Sequence, residues 1–417
     1  VGEFVLSIKF DMKINQSFRY ELNPNNHQKG LLMRCCGVAR FTWNWGLARQ
    51  EELYRTQIGK DKFVSAITQH RELNLLKNSE FSWMYEVSKW IPQESLRDLE
   101  RAYVNFWCGK NNDDIVGLPK FKKKGQRDRF RIAGVKIQDN GIHLPKIGKV
   151  RTKESTAKLV GRILSATISR EADDRWYCSL CVEVNRKEIK PSTDEIVGID
   201  LGITDFAVIF NGEEYSHKQS PRPLRIKLKK LKRLDRQQSR KQLGSNNRKK
   251  ANLRLARLHR KIRNIRKDYV NKLTTQLTKT KSVIIIEDLR VKKMMKNNNR
   301  HLSRSISDVG WGEFRRQMEY KTVWYRSRLI KTPKSYPSSK MCSVCGYIND
   351  ELKRSDGVWI CLECGTNHQR DENSSTNMRN YGLRILSTES CSGSYACGET
   401  VRPIGASLAE AGIERVQ

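Results

Sequence analysis

The longest purely aliphatic run in the chain, Val283-Ile284-Ile285-Ile286, stops at Glu287-Asp288. A membrane-crossing helix needs about 20 consecutive apolar residues, so this run reads as a buried strand that delivers a carboxylate at its end. The same design recurs in the stretch from Glu195 to Ile209, where Ile196-Val197-Gly198-Ile199 runs into Asp200 and a tight glycine-containing turn leads to a second apolar strand. A third acid, Asp371 in Arg370-Asp371-Glu372-Asn373, opens a predicted helix, where it is expected to be the N-cap. Any one of these acids could equally cap a helix or pair with an arginine. Together, three acids at the ends of rigid elements supply the hard oxygen ligands of a two-metal phosphodiester hydrolase, whose divalent ions lie about 3.5–4 Å apart.

The charge balance names the partner class. Lysine and arginine outnumber aspartate and glutamate 80 to 45 in 417 residues, a formal net charge of +35. Such an excess suits a polyanion. Within residues 221–270 there are 20 lysines and arginines against two acids, Asp235 and Asp268. Leucines at 224, 228, 231 and 234, and Leu255, Leu258, Ile262, Ile265 and Tyr269, fall at helical spacing on either side of Gly244-Ser245-Asn246-Asn247. This predicts a basic helical hairpin with a narrow apolar seam. A second basic element, the loop Gly117-Leu118-Pro119-Lys120-Phe121-Lys122-Lys123-Lys124-Gly125, carries a central aromatic and suits backbone phosphates. The candidate nucleic-acid contacts are Lys120, Lys122, Lys123 and Lys124 in the loop, and Arg225, Lys229, Lys230, Arg233, Arg254, Arg257, Arg260 and Lys261 in the hairpin.

A length of 417 residues allows two to four domains. Residues 26–112 carry aromatic and aliphatic side chains at helix-like intervals, whereas residues 14–22 and 131–184 alternate as strands do. Lys9 and Asp11 interrupt any secretory signal region, so a cytosolic location is expected, at the nucleoid when the chain is bound to DNA, and no membrane partner. In that reducing compartment 11 cysteines, an odd number, point to metal ligands or buried thiols. Cys342-x2-Cys345 and Cys361-x2-Cys364, 15 residues apart, have the spacing of a zinc ribbon. Four thiolates close the zinc tetrahedron, so one Zn²⁺ would hold structure without doing chemistry. Cys178 and Cys181 share the C-x2-C spacing but lie in a strand pattern that turns them to opposite faces, which makes them core thiols. Cys35-Cys36 is expected to pack within a helix.

The Gly198-Ile199-Asp200-Leu201-Gly202 turn, the Ile286-Glu287-Asp288-Leu289 strand end and Arg370-Asp371-Glu372-Asn373 resemble the three motifs of a RuvC-type, RNase H-like nuclease. The cysteine pairs lie between the second and third motifs, with Ser307-Asp308-Val309-Gly310-Trp311-Gly312-Glu313-Phe314 ahead of them and Arg40-Phe41-Thr42-Trp43-Asn44 near the start. From Met12 to about Gly382 the chain resembles the TnpB (OrfB) proteins of bacterial insertion sequences.

That resemblance implies an α/β nuclease joined to all-β and all-α modules. An RNase H-like (RuvC) nuclease domain would occupy 191–335 and 370–386 and carry the hairpin, with a zinc ribbon insertion at 336–369. A β-barrel wedge domain would be split over 12–25 and 113–190, and a helical recognition domain would fill 26–112. The tail 387–417 is expected to be loosely held. The resemblance further implies an RNA-guided DNA endonuclease related to the type V CRISPR effectors. Asp200, Glu287 and Asp371 would be its catalytic acids, holding two Mg²⁺ or Mn²⁺ ions. Its partners would be a guide RNA, the target double-stranded DNA and the displaced strand, with a short motif beside the target read by the helical region and its flanking β unit. A miniature CRISPR-associated effector and a guide-dependent binder without cleavage are the alternatives; all three acids are present, which disfavours the second. The seven histidines contain no His-hydrophobe-His pair for a tyrosine transposase. No histidine-rich insertion follows residue 205, so one nuclease centre has to cut both strands.

Overall fold

The structure, a computed structural model, describes residues 11–56, 63–111, 116–187, 189–289, 291–296, 300–353 and 355–391. It divides into two units, Val1–Glu188 with Pro221–Asp268, and Ile189–Ser220 with Tyr269–Gln417.

In the first unit, strand β1 (Asp11–Leu22) leads into helices α1 (Asn26–Thr56), α2 (Ala66–Lys77) and α3 (Trp90–Asn111), with a 3-10 turn at Ser82–Glu86 between the last two. Side-chain caps start these helices. The Asn25 and Gln28 side chains each accept from the other's backbone N–H (2.8 and 3.2 Å), a reciprocal capping pair, and Ser65 accepts from the Thr68 N–H. Leu32, Leu73 and Leu96 are sealed between the helices, and Cys35 and Cys36 are buried on α1. The β part comprises β2 (Arg129–Ile132), β3 (Lys136–Gln138), β4 (Gly141–Leu144), β5 (Gly148–Arg151), β6 (Arg162–Arg170) and β7 (Trp176–Lys187). These form an antiparallel sheet in the order β1-β7-β6-β2 and a separate β3-β4-β5 meander. The expected barrel does not close among the described residues. Edge strand β2 offers only four residues to its neighbour β6, too short a ladder to curl round onto β1. Cys178 is fully buried on β7 and Cys181 only partly, as opposite faces require.

The basic hairpin is formed by α4 (Arg222–Ser239) and the first part of α5 (Asn246–Thr280). Its seam buries Leu224, Leu231, Leu258 and Ile262. The sequence reading assigned the hairpin to the nuclease domain, but its contacts group it with the β-rich unit. Arg260 pairs with Asp173 at 2.6 Å and Arg263 with Glu171, both acids lying in the turn between β6 and β7.

The second unit is built on β8 (Ile196–Asp200), β9 (Asp205–Phe210), β10 (Tyr215–Gln219), β11 (Val283–Glu287) and, beyond α6 (Val291–Lys296), α7 (Arg300–Val309) and α8 (Trp311–Trp324), β12 (Arg328–Thr332). Their order is β10-β9-β8-β11-β12. The first three are antiparallel, whereas β11 runs parallel to both β8 and β12, the RNase H-like arrangement. A two-stranded ribbon, β13 (Val358–Ile360) and β14 (Asn367–Gln369), precedes α9 (Arg370–Cys391).

Helix α9 lies so close to the sheet that a Cβ at Gly198 would stand 2.0 Å from the Ser375 carbonyl oxygen and 2.6 Å from the Arg379 nitrogen. Both are backbone atoms that cannot swing aside. Gly198→Ala is therefore expected to destabilise the second unit by about 3 kcal/mol or more, read as a lowered unfolding midpoint. Gly312→Ala, with nothing within 4 Å of the added methyl, should leave that midpoint unchanged or raise it. At its far end α9 extends through 387–391, so the start of the expected loose tail is helical; residues 392–417 lie outside the described ones. No helix among the described residues is long and apolar enough to cross a membrane.

Candidate active site

Register brings the first two acids together. Ile199 of β8 pairs with Ile286 of β11, so Asp200 and Glu287, one residue further along each, end adjacent parallel strands. Asp371 comes from the first turn of α9. It is not the N-cap that the sequence suggested; Gln369 fills that role, its Oε1 accepting from the Glu372 N–H at 2.8 Å. Ser374, one turn along α9, donates to Asp200 Oδ1 at 3.0 Å. Gly202 keeps the other side open, since a Cβ there would meet the Asp205 carbonyl oxygen at 2.7 Å and approach Asp371 Oδ2 at 3.8 Å.

Electrostatics marks the same cluster. The Asp200 carboxyl is pushed up to about 7 by poor solvation first, then by the charge of Asp371 and, more weakly, Glu287, against the pull of the Ser374 hydroxyl. Burial and the neighbouring Asp288 raise Glu287 as well. Nearby acids are already satisfied: Glu195 by Lys281, Asp205 by His217, and Asp288 by Arg315 with Lys334 at 3.8 Å. Among the described residues none of Asp200, Glu287 and Asp371 has an ion pair to lysine or arginine. Mutually repelling, partly exposed carboxylates with no ion pair to lysine or arginine among the described residues, and only the weaker charge of Arg370 opposing the repulsion at Asp200, fit a divalent cation. They are not drawn into a closed ligand set: the one group of metal-ligating atoms within 4.8 Å of each other among the described residues is Cys342, Cys345, Cys361 and Cys364.

Those thiols fit zinc. Gly346 and Gly365 take φ of 82° and 69° just after each second cysteine, a left-handed turn that glycine adopts without strain. His368 Nε2 lies 3.0 Å from Cys342 Sγ and its ring packs on Trp359. The first knuckle is fastened to α9. The Asn373 side chain accepts from the Ser343 N–H (2.9 Å) and donates to the Met341 carbonyl (2.7 Å), and Asn377 donates to the carbonyls of Ser338 and Met341. Sequence reasoning passed over Ser374, Asn373 and Asn377. Their signal was a run of small polar residues at a helix start that would otherwise be expected to bury apolar ones.

Of the predicted nucleic-acid contacts, Arg225, Lys229, Lys230, Arg233, Arg254, Arg257 and Lys261 stand exposed on the hairpin, whereas Arg260 is held by Asp173. In the 117–125 loop Lys120, Lys123 and Lys124 are exposed. Lys122 turns inward, its ammonium 3.6 Å over the Trp43 ring, and burial lowers it to about 8. The Trp43 indole N–H donates to the Lys120 carbonyl, and the Asn44 amide bonds both backbone groups of Lys122. The Arg40–Asn44 landmark thus clasps the loop, leaving Phe121 49% exposed among the lysines.

Sheet order, acid-ended strands and a four-cysteine insertion define an RNase H-like (RuvC) nuclease fold with a zinc ribbon. Comparison with known proteins agrees. A family model for OrfB of the IS605 type, described as "Probable transposase", matches residues 179–298, and one described as "Cas12f1-like, TNB domain" matches 311–378. A third, described as a helix-turn-helix domain, matches 12–59; its described residues, 12–56, fold as strand β1 and helix α1. The chain is 34% identical over 408 residues to the "Putative RNA-guided DNA endonuclease InsQ" of Escherichia coli (strain K12), covering 94% of this chain and 96% of that protein. A "Putative RNA-guided DNA endonuclease" of Streptomyces pristinaespiralis is 32% identical over 401 residues, with 94% and 93% covered. The cryo-EM structure of a Cas12f1-sgRNA-target DNA complex superposes with a TM-score of 0.52 at 12% identity, over 88% of this chain and 99% of that one. The chain belongs to the TnpB (OrfB) family of insertion-sequence proteins.

Proposed function

We propose that the protein is an RNA-guided DNA endonuclease that binds a guide RNA and cleaves complementary double-stranded DNA beside a short motif. The observation that carries this reading is the contrast between Asp200, Glu287 and Asp371, which have no ion pair to lysine or arginine among the described residues, and their paired neighbours. The names of the two bacterial relatives support it. Asp200, Glu287 and Asp371 would hold two Mg²⁺ or Mn²⁺ ions, which supply an activated water and stabilisation of the leaving oxygen. Ser374 fixes the Asp200 carboxylate, and strand-end placement of Asp200 and Glu287 keeps the ligands from collapsing onto one another. The zinc ribbon sets the entry of α9, and with it Asp371. Sequence choice would come from base pairing with the guide, the protein reading backbone geometry.

Sequencing the RNA that co-purifies with the chain, then supplying matched plasmid DNA and Mg²⁺, tests this. One defined transcript and guide-dependent cleavage are expected; a smear of cellular RNA and no cleavage would overturn it. The transcript also tells a transposon end from a CRISPR array.

Phosphate contacts should make binding steeply salt-dependent, each adding about −0.9 to the log–log slope on duplex and −0.7 on single strands. Reversing Lys229, Lys230 and Arg233 together should reduce the slope by about two to three. Arg260→Glu should lower stability through the lost Asp173 pair and leave the slope nearly unchanged. An unaltered slope in the triple variant would leave the hairpin as a solvated face.

A further inference from the structure

We infer that His217 is a positioning residue for this nuclease centre, latching the first turn of α9, and so Asp371, to the edge of the sheet; the inference rests on the function proposed above. His217 sits on edge strand β10, opposite Val208 of β9. Its Nδ1 lies 2.8 Å from Asp205 Oδ2, at the start of β9, and its Nε2 lies 3.1 Å from Glu372 Oε1, next to Asp371 on α9. Two residues back along β10, the Tyr215 hydroxyl meets Thr376 Oγ1 at 2.8 Å, one helical turn beyond Glu372. Strand and helix are thus stitched at two points whose spacings, two along a strand and four along a helix, keep both side chains on one face.

The site lies against the candidate ligands. Asp205 contributes the carbonyl oxygen that, with Asp371 Oδ2, borders Gly202. The carboxylates of Asp205 and Glu372 flank the imidazole, next to the corner where Asp371 Oδ2 borders Gly202. An imidazole that serves a carboxylate at each nitrogen does so best as the cation, and the bond to Asp205 first, then that to Glu372, raises it above its ordinary value. Both nitrogens are engaged on opposite sides of the ring, so neither is left to act on a metal ion or a water. What His217 supplies is charge compensation and a fixed angle for the helix that presents Asp371. Without it, Asp205 and Glu372 face each other uncompensated and the start of α9 keeps its ties through Asn373, Ser374, Thr376 and Asn377.

The test uses the full chain with its bound RNA, comparing His217→Ala, Glu372→Ala, the double variant and His217→Arg, whose guanidinium can donate to two carboxylates. Partners that orient metal-binding residues typically matter by roughly 10- to 100-fold. We expect kcat for matched DNA to fall by that amount in either single variant, with KM unchanged and a higher Mg²⁺ concentration for half-maximal rate. The double variant should lose no more than a single one, and His217→Arg should recover part of the loss. Amides 371–377 should exchange hydrogen faster in His217→Ala without any divalent ion present. His217→Gln, able to serve one carboxylate at a time, should give an intermediate exchange rate and stands in if the alanine variant does not fold. Additive losses, a full rate in His217→Ala, or unchanged exchange in both His217→Ala and His217→Gln would overturn the latch. If the unaltered protein fails to cleave DNA, the proposed function falls while the exchange measurement still decides whether the latch exists.

Discussion

Replacing Asp200, Glu287 or Asp371 by alanine is expected to reduce cleavage of guide-matched DNA by roughly a thousandfold or more, with RNA binding unchanged. Groups that hold one metal centre act as a unit, so the first removal takes nearly the whole effect and a second adds little. Glu195→Gln, which weakens the pair with Lys281 and touches the lesser side-chain hydrogen bonds to Asn211 and Thr193, should leave the rate intact and cost at most about 1 kcal/mol of stability. A single-turnover measurement decides it: any of the three alanine variants that keeps a substantial fraction of the rate loses its assignment. Asp200 adds a pH signature. Its folded-state value near 7 lies above the ordinary 3.8, so the folded chain keeps a proton that the unfolded chain releases. Metal-free stability should therefore fall as pH rises through that interval. Asp200→Asn should flatten that dependence and raise the metal-free midpoint at neutral pH, the stability cost of a ligand site made visible.

The second large effect concerns zinc. Cys361→Ser is expected to cut the zinc content from about one per chain to near zero and to lower cleavage by orders of magnitude while RNA binding persists. The reason is local. The knuckle that begins at Cys342 is bonded by Asn373 and Asn377 to the helix carrying Asp371, and binding free energy in such sites is folding free energy. Asn373→Ala separates the two roles: zinc content should stay near one while the cleavage rate falls. Full activity in a zinc-free preparation would end the idea.

The strand-end positions of Asp200 and Glu287 were legible because each strand is short, apolar and stopped by its carboxylate, a pattern set by backbone geometry alone. The sequence revealed the ribbon because tetrahedral thiolate coordination dictates the cysteine spacing. It misplaced the cap of α9, since Gln369 and Asp371 can both accept a backbone N–H and only the path of the chain out of β14 chooses between them. Composition could not tell Lys122 and Arg260 from their neighbours; a cation pressed on Trp43 or paired with Asp173 is spelled the same as a free one. Closure of the wedge sheet was likewise out of reach, because it depends on strand lengths and pairing between segments more than a hundred residues apart.

An amphipathic helix ordinarily presents one face to solvent, where substitutions drift freely. The first two turns of α9 have no such face. Asp371 points to the acids, Glu372 and Thr376 to β10, Asn373 and Asn377 to the zinc knuckle, and Ser374 to Asp200, while the Ser375 backbone lies against Gly198. Seven consecutive positions are committed in different directions, and the lineage of such a chain can vary there only by changing two elements at once.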